Sequence, residues 1–441
     1  MPSILIESAH VPVGNELTTA HLFLDDGVIK CISKLRPTET ADLKINGAGL
    51  IALPGMIDAH VHLRDLELSY KETFETGSRA AAAGGFTTVL DMPNTRPATT
   101  NRETLLEKIS RAQGRLFVNV GFQGALVDDA AALKEMRDAG AVAFKLYMNK
   151  ALETFDSSDD VKLNLALQAA KECDALVTVH AEDGAAIRFL QEKSLAQGRT
   201  TIRDFLRGHS PAMEMAAVRR ILAMARRSGV RAHICHITIP ESVKLVRRTR
   251  NTSCEATVHH LLLNQSVFRK QGTFAICVPP IRSERHRRGL WGLFRDGRVD
   301  ILASDHAPHT LEEKSSANAW KAASGVPGLE TSLPALFTQV SRGRLTLRRL
   351  MEATATLPAK IFRLGHKGVL KEGYDADVVL VDPKAKIRIR PEDFLSKAKY
   401  SPFKGMPCTG RAAYTIVNGQ LVAEKGSIVG PPIGKVAMSD A

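Results

Sequence analysis

Ile57-Asp58-Ala59-His60-Val61-His62-Leu63-Arg64 is the stretch of this 441-residue chain on which its reading turns. Apolar residues alternate with Asp58, His60, His62 and Arg64, the period of a β-strand, so both imidazoles point to one face. Inside a barrel that face is the lumen, where an unpaired polar group is costly. Two stacked imidazoles there need a partner, and a divalent cation is the natural one. A lone H-x-H is weak evidence of a metal. Asp58 before the pair and Arg64 after it strengthen the case.

Outward from this strand the pattern repeats. Candidate strands are Ile57 to His62, Thr87 to Asp91, Phe117 to Gly121, Ala143 to Tyr147, Leu176 to His180, Arg231 to His236, Cys254 to Thr257 and Ile301 to Ser304. Helical stretches lie between most of them: Lys71 to Ala83, Arg102 to Gln113, Asp160 to Cys173, and Pro211 to Arg227 with Pro in the first turn. Eight strands alternating with helices predict an α/β fold of the (β/α)8, TIM-barrel type over residues 55–364. The two ends have another texture. Short apolar runs flank Asp25-Asp26-Gly27 and Asn418-Gly419, both hairpin signals. Residues 1–54 and 365–441 are therefore expected to meet in one small β-sandwich domain.

The barrel strands share a feature that core packing does not explain. Five of them finish at side chains of metal-site chemistry: His60 and His62, Lys145, His180, His236 and Asp305. Barrel enzymes collect their chemistry at the C-terminal ends of the strands, so these positions converge at one mouth. His180 or His236 alone reads more readily as a hydrogen-bonded core histidine. With the pair they supply four imidazoles, two for each of two metals. His233, early in its strand, reads as structural. Asp305 alone could be a turn residue, but His306 and His309 beside it favour a metal ligand that also takes a proton from water. Lys145 reads, on its residues alone, as a salt-bridged or snorkelling lysine.

Bulk properties exclude several classes. The formal charge of +13 comes with only 5% aromatic residues. The basic clusters at Arg247-Arg248, Arg285 to Arg288 and Arg348-Arg349 have no interleaved stacking platforms, so they read as solvated surface and not as a nucleic-acid site. The positive field suits a small anionic substrate. No apolar run approaches membrane-spanning length, and the N-terminus lacks the layout of a secretion signal. Six scattered cysteines without C-x-x-C spacing fit a reducing cytoplasm. The stretch 310–327 is polar with Gly and Pro, a composition compatible with mobility that does not establish it.

Taken together, the motifs resemble the dihydroorotase branch of the amidohydrolase superfamily. They are Asp58 to Arg64, Tyr70-Lys71-Glu72-Thr73, Ala80 to Thr88, Met92-Pro93-Asn94-Thr95, Phe144-Lys145-Leu146-Tyr147 and His180-Ala181-Glu182-Asp183. Cys254-Glu255-Ala256, His259-His260-Leu261, Ser304 to His309 and Gly328-Leu329-Glu330-Thr331 continue the series. The resemblance implies two divalent ions, usually zinc: His60, His62 and Asp305 on the first, His180 and His236 on the second. Lys145, carboxylated by CO2, would bridge them together with a hydroxide. It further implies that Arg64 and Asn94 hold a substrate carboxylate and that His309 contacts substrate. The implied reaction is the reversible closure of N-carbamoyl-L-aspartate to (S)-dihydroorotate in pyrimidine biosynthesis. Self-association and a complex with aspartate transcarbamoylase are the partner options it carries.

The chain departs from that pattern in places. Leu66-Glu67 stands where many relatives have Pro-Gly, and Val258 where they have Pro. Val278 replaces an Asn found beside the substrate ring in many bacterial dihydroorotases, and Cys277 to Arg282 (C-V-P-P-I-R) resembles allantoinases. A cyclic amidase such as allantoinase or dihydropyrimidinase is the rival reading. Arg64 argues against it, since allantoin has no carboxylate to bind. A non-catalytic scaffold for aspartate transcarbamoylase is the third reading, opposed by six filled ligand positions.

Overall fold

The computed structural model describes residues 2–14, 16–150, 152 and 155–440. Its centre is a barrel of parallel strands. The first, Met56–Val61, pairs with Phe86–Asp91, which pairs with Asn119–Phe122. After Gln123 the third strand resumes as Gly124–Ala125 and pairs with Phe144–Tyr147. Leu176–His180, Arg231–Ile234, Thr252–Thr257 and Ile301–Ala303 follow in register. The ring closes where Val61 bridges His306 and the His62 N–H donates to the His306 carbonyl at 2.8 Å. All six residues of the first strand are buried, as expected of a parallel strand with helices outside and side chains filling the lumen.

The expected helices form for local reasons. Phe74–Ala83 opens with a capping box between Thr73 and Thr76. It stops at Gly84, where a Cβ would lie 2.2 Å from the Leu329 carbonyl oxygen. Pro211–Ser228 starts on its proline and ends on Gly229 at φ 72°, the left-handed cap that glycine adopts freely. Helices not read from the sequence include Ala130–Asp138, Gly184–Ala196, Pro240–Val246 and Glu284–Arg295. The last carries Arg287 and Arg288, both paired with Glu284 at 2.7 Å. Arg349 differs from its neighbours: it is buried and donates to the Phe294 carbonyl.

Both ends of the chain contribute to one nine-stranded sheet. Ile51–Pro54 lies between Ile4–Val13 and Val378–Arg388, so N-terminal and C-terminal strands are hydrogen-bonded neighbours. The two expected hairpins are present. Asp26 and Gly27 have φ 49° and 76°, and Asn418 and Gly419 have 49° and 77°, the positive values a type I′ turn requires. A core of Ile4, Ile6, Leu22, Leu24, Val378 and Leu380 with their neighbours packs within this sheet, apart from the barrel core. Among the described residues no helix is long and apolar enough to cross a membrane, and the six cysteines are free.

Candidate active site

The strand ends bring the sequence-selected side chains to one cavity of about 730 Å³. His60, His62, His180, His236 and Asp305 line its floor, and Arg64, Asn94, Tyr147, Val278 and His309 line its walls. Lys145 lies beneath, 2% exposed. Strand alternation accounts for His60 and His62 but not for everything. The first strand ends at Val61, and Arg64 reaches the cavity through a left-handed turn. Arg64, Asp65 and Leu66 have φ of 59°, 48° and 50°. His236 and Asp305 also have positive φ, 36° and 46°, each just past the end of its strand. Such conformations are strained for non-glycine residues and persist where the surroundings enforce them. Here Asp65 secures the turn by accepting from the Phe74 N–H and pairing with Arg115, both at 2.8 Å.

Histidine orientation on the first-metal side follows from buried carboxylate and amide partners. Nδ1–H of His60 donates to Glu255 at 2.6 Å, and Nδ1–H of His62 donates to Oδ1 of Asn94 at 2.7 Å. This leaves both Nε2 atoms facing Oδ1 of Asp305, at 3.3 and 3.2 Å. The three donor atoms lie within 4.8 Å of one another, a group able to hold a metal ion. On the other side, Nε2–H of His180 donates to Glu182 at 2.9 Å, and its ring is 4.5 Å from that of His236. Nδ1 of His236 is buried with no hydrogen-bond partner.

The electrostatics agree with metal ligation. Burial, followed by the neighbouring Lys145 cation, pushes His60 down to about 4. Burial likewise holds His62 and His236 well below the usual histidine range and lowers His180. Neutral imidazoles keep the lone pair a metal needs. Burial alone would raise the Glu255 carboxyl, but His60 and His233 hold it far below the carboxylate range. The Lys145 ammonium donates only to the Cys235 thiol, at 3.0 Å, and pairs with no carboxylate among the described residues. The salt-bridged or snorkelling reading of Lys145 therefore fails. A buried cation left unpaired is expensive. Conversion to a carbamate would replace that cation with an anion carrying two oxygen donors among four imidazoles, a set suited to cations, so these residues fit the binuclear group the resemblance implies.

Some residues that shape the site were not singled out by sequence. Glu255 orients His60, bonds His233 at 3.1 Å and accepts from the His236 N–H at 3.2 Å, one carboxylate steering both halves of the site. Glu182 does the same for His180 and also bonds His209 at 3.1 Å. Both stand inside quoted motifs, yet nothing local in a strand or loop glutamate distinguishes an orienting role. Asn94 lines the cavity as expected, with its carbonyl oxygen engaged by His62. His306 turns away to Glu72 and the Gly328 N–H. His233 is structural, satisfied by Ser253 and Glu255.

The substrate side is cationic. Arg64 is 7% exposed, and among the described residues its side chain makes one polar contact, a long 3.4 Å approach of Nη2 to His309, with Nε unpartnered. Lys71, Arg96 and Lys150 line the same cavity, and of these Lys71 is neutralised by Glu313 at 2.8 Å. The hydroxyl of Tyr147 faces this region buried and unbonded.

Comparison with known proteins agrees with this geometry. The Amidohydrolase family matches residues 51–422. An L-hydantoinase (dihydropyrimidinase) structure from Arthrobacter aurescens superposes with a TM-score of 0.95 at 33% identity, covering 99% of this chain and 100% of that one. A dihydroorotase of Methanosphaera stadtmanae is 34% identical over 92% of this chain and 94% of its own length. An allantoinase of Salmonella choleraesuis is 33% identical over 98% of both. Three ring specificities thus lie at equal distance, while the barrel and its β-rich companion are common ground. The chain belongs to the amidohydrolase family of metal-dependent cyclic amidases.

Proposed function

We propose that this enzyme is a dihydroorotase, interconverting (S)-dihydroorotate and N-carbamoyl-L-aspartate. The observation that carries the reading is Arg64: a buried guanidinium on the cavity wall with no carboxylate partner among the described residues. An unpaired buried cation is tolerated where the substrate supplies the counter-charge. A planar carboxylate suits it through two parallel hydrogen bonds.

His60, His62 and Asp305 would hold one divalent ion, His180 and His236 the other, and carboxylated Lys145 would bridge them. The chemistry such ions supply is activation of a water and polarisation of the ring carbonyl. The protein's own residues do the rest. Arg64 anchors the ring carboxylate, with Asn94 and His309 on the adjoining walls. Asp305, poised between two imidazoles, takes the proton from the attacking water and delivers it to the departing ring nitrogen. Glu255, Glu182 and Asn94 keep the imidazoles aimed, and burial keeps them neutral.

A neutral-ring amidase (hydantoinase or allantoinase) is the second reading, favoured by Val278, which gives the cavity an apolar wall. The filled ligand positions weigh against a non-catalytic scaffold for aspartate transcarbamoylase. The test offers dihydroorotate, hydantoin, dihydrouracil and allantoin in parallel to metal-loaded enzyme. Dihydroorotate turned over best supports the proposal; activity on a neutral ring without dihydroorotase activity overturns it.

A further inference from the structure

The composition of segment 310–327 is compatible with mobility, but the structure ties it down through one buried side chain. Lys314 ends the short helix Leu311–Lys314 and is 0% exposed. Its ammonium donates to three backbone carbonyls: Ile276 at 2.8 Å, Ala323 at 2.8 Å and Gly325 at 3.0 Å. An ammonium has three N–H donors, and each finds one acceptor. The Tyr400 hydroxyl donates to the same Gly325 carbonyl at 3.1 Å, and the Tyr400 ring lies 5.4 Å from the ammonium. No carboxylate takes part.

What these carbonyls belong to gives the arrangement its meaning. Ser324 and Gly325 line the active-site cavity, and Ile276 lies two residues before Val278, which lines it too. His309 stands at the start of the same segment and bonds the Ser324 carbonyl at 3.3 Å. Gly325 sits at φ 155°, and a Cβ there would lie 2.5 Å from the Ala307 carbonyl oxygen, so this wall has no slack. Among the described residues Lys314 is hydrogen-bonded to no metal-ligand side chain.

We propose that Lys314 is a positioning residue that sets the substrate-facing wall formed by Val278, His309, Ser324 and Gly325. It acts through backbone carbonyls and touches neither metal ligands nor substrate. The inference rests on this cavity being the substrate site, but not on which ring is bound. Its consequence is selective. Loss of the ammonium removes one donor from each of the three carbonyls; Gly325 keeps Tyr400 and Ile276 keeps the Gly325 N–H at 3.0 Å, so the wall loosens at Ala323 to Gly325 while the metal ligands stay in place. Substrate binding weakens more than turnover. A lysine that only supported the fold would instead lower the melting temperature or the active fraction and leave KM unchanged.

The experiment uses whichever cyclic amide the wild-type enzyme turns over best, so a wrong ring assignment shows in the wild type and leaves this test intact. Lys314→Met and Lys314→Ala are compared with wild type for metal content, kcat and KM. The expected result is unchanged metal content with KM raised roughly ten- to hundredfold, the scale of a displaced binding group. Ethylammonium added to Lys314→Ala should lower KM again by refilling the vacated space, and should do nothing for Lys314→Met, where the thioether occupies it. Tyr400→Phe, which removes only the second donor to the Gly325 carbonyl, should raise KM by a few fold and serves if the lysine variants do not fold. Wild-type KM in the lysine variants, an equal loss of metal and KM, or an unchanged KM in Tyr400→Phe when it alone can be assayed would overturn the proposal.

Discussion

Replacing Arg64 by Gln removes the cation while keeping a polar side chain of similar reach in the same left-handed turn. In the wild type the guanidinium is buried and has no carboxylate partner among the described residues, so on the proposed reading the substrate carboxylate is its strong acceptor. A hydrogen bond to a charged group contributes about 1.5–3 kcal/mol, and a bidentate pair makes two. Gln can keep one weaker bond, which leaves a loss of about 2–5 kcal/mol, the range found when one partner of a buried charge pair is truncated. That corresponds to roughly 30- to 5,000-fold in kcat/KM for dihydroorotate. Most of the change should fall on KM, because the carboxylate is bound in both ground and transition states. Steady-state assays on dihydroorotate and on hydantoin, with metal content measured on the same samples, separate the possibilities. A neutral ring has no carboxylate to lose, so its residual turnover should change little. Equal losses on both rings, or none on dihydroorotate, would refute the role assigned to Arg64.

Three further outcomes follow from the same geometry. Glu255→Gln exchanges the charged acceptor of His60 for a neutral one, and metal affinity should fall roughly 10- to 100-fold, read by competition with a chelator. Lys145→Met should retain the fold but lose stable binding of the second ion, and wild-type protein prepared in 13C-bicarbonate should show a carbamate carbon resonance that the variant lacks. Lys367, mostly buried, gives a pH test away from the metals. Burial by itself would lower its pKa, but Asp377 at 2.6 Å and Asp375 at 2.8 Å raise it. A folded-state pKa above the unfolded value means the pair stabilises fully below about pH 10.4 and loses that contribution as pH rises through the folded value. Lys367→Met should therefore be less stable at neutral pH and show a shallower alkaline decline in thermal melts; parallel curves would contradict this.

Where periodicity governs, the fold was legible. The strand Leu176–His180 matches its expected limits, and the other barrel strands differ by a few residues at their ends. His60 and His62 were readable as a pair because strand alternation fixes their shared face. The position of Arg64 was right for a reason that was not. It is held by three successive left-handed residues, a conformation no local propensity favours, and by Asp65, whose partners Phe74 and Arg115 lie 9 and 50 residues further along the chain. His236 and Asp305 line the cavity as expected, yet their strands end before them, and tertiary packing imposes their backbone geometry. Glu255 and Glu182 were invisible because orienting a histidine leaves no spacing pattern. Lys314 was hidden for the same reason: a lysine in a polar stretch looks solvated until its three carbonyls are in view.

A two-metal site and a carboxylate-bearing ring can both be tested on one preparation. The protein is purified without added metal, its divalent ions are counted, and the same sample is assayed on dihydroorotate beside hydantoin and allantoin. The expected result is close to two ions per chain, loss of activity on chelation, and dihydroorotate as the preferred ring. A two-metal enzyme that opens only hydantoin or allantoin would contradict the substrate assignment, and an active enzyme indifferent to chelators would contradict the site itself.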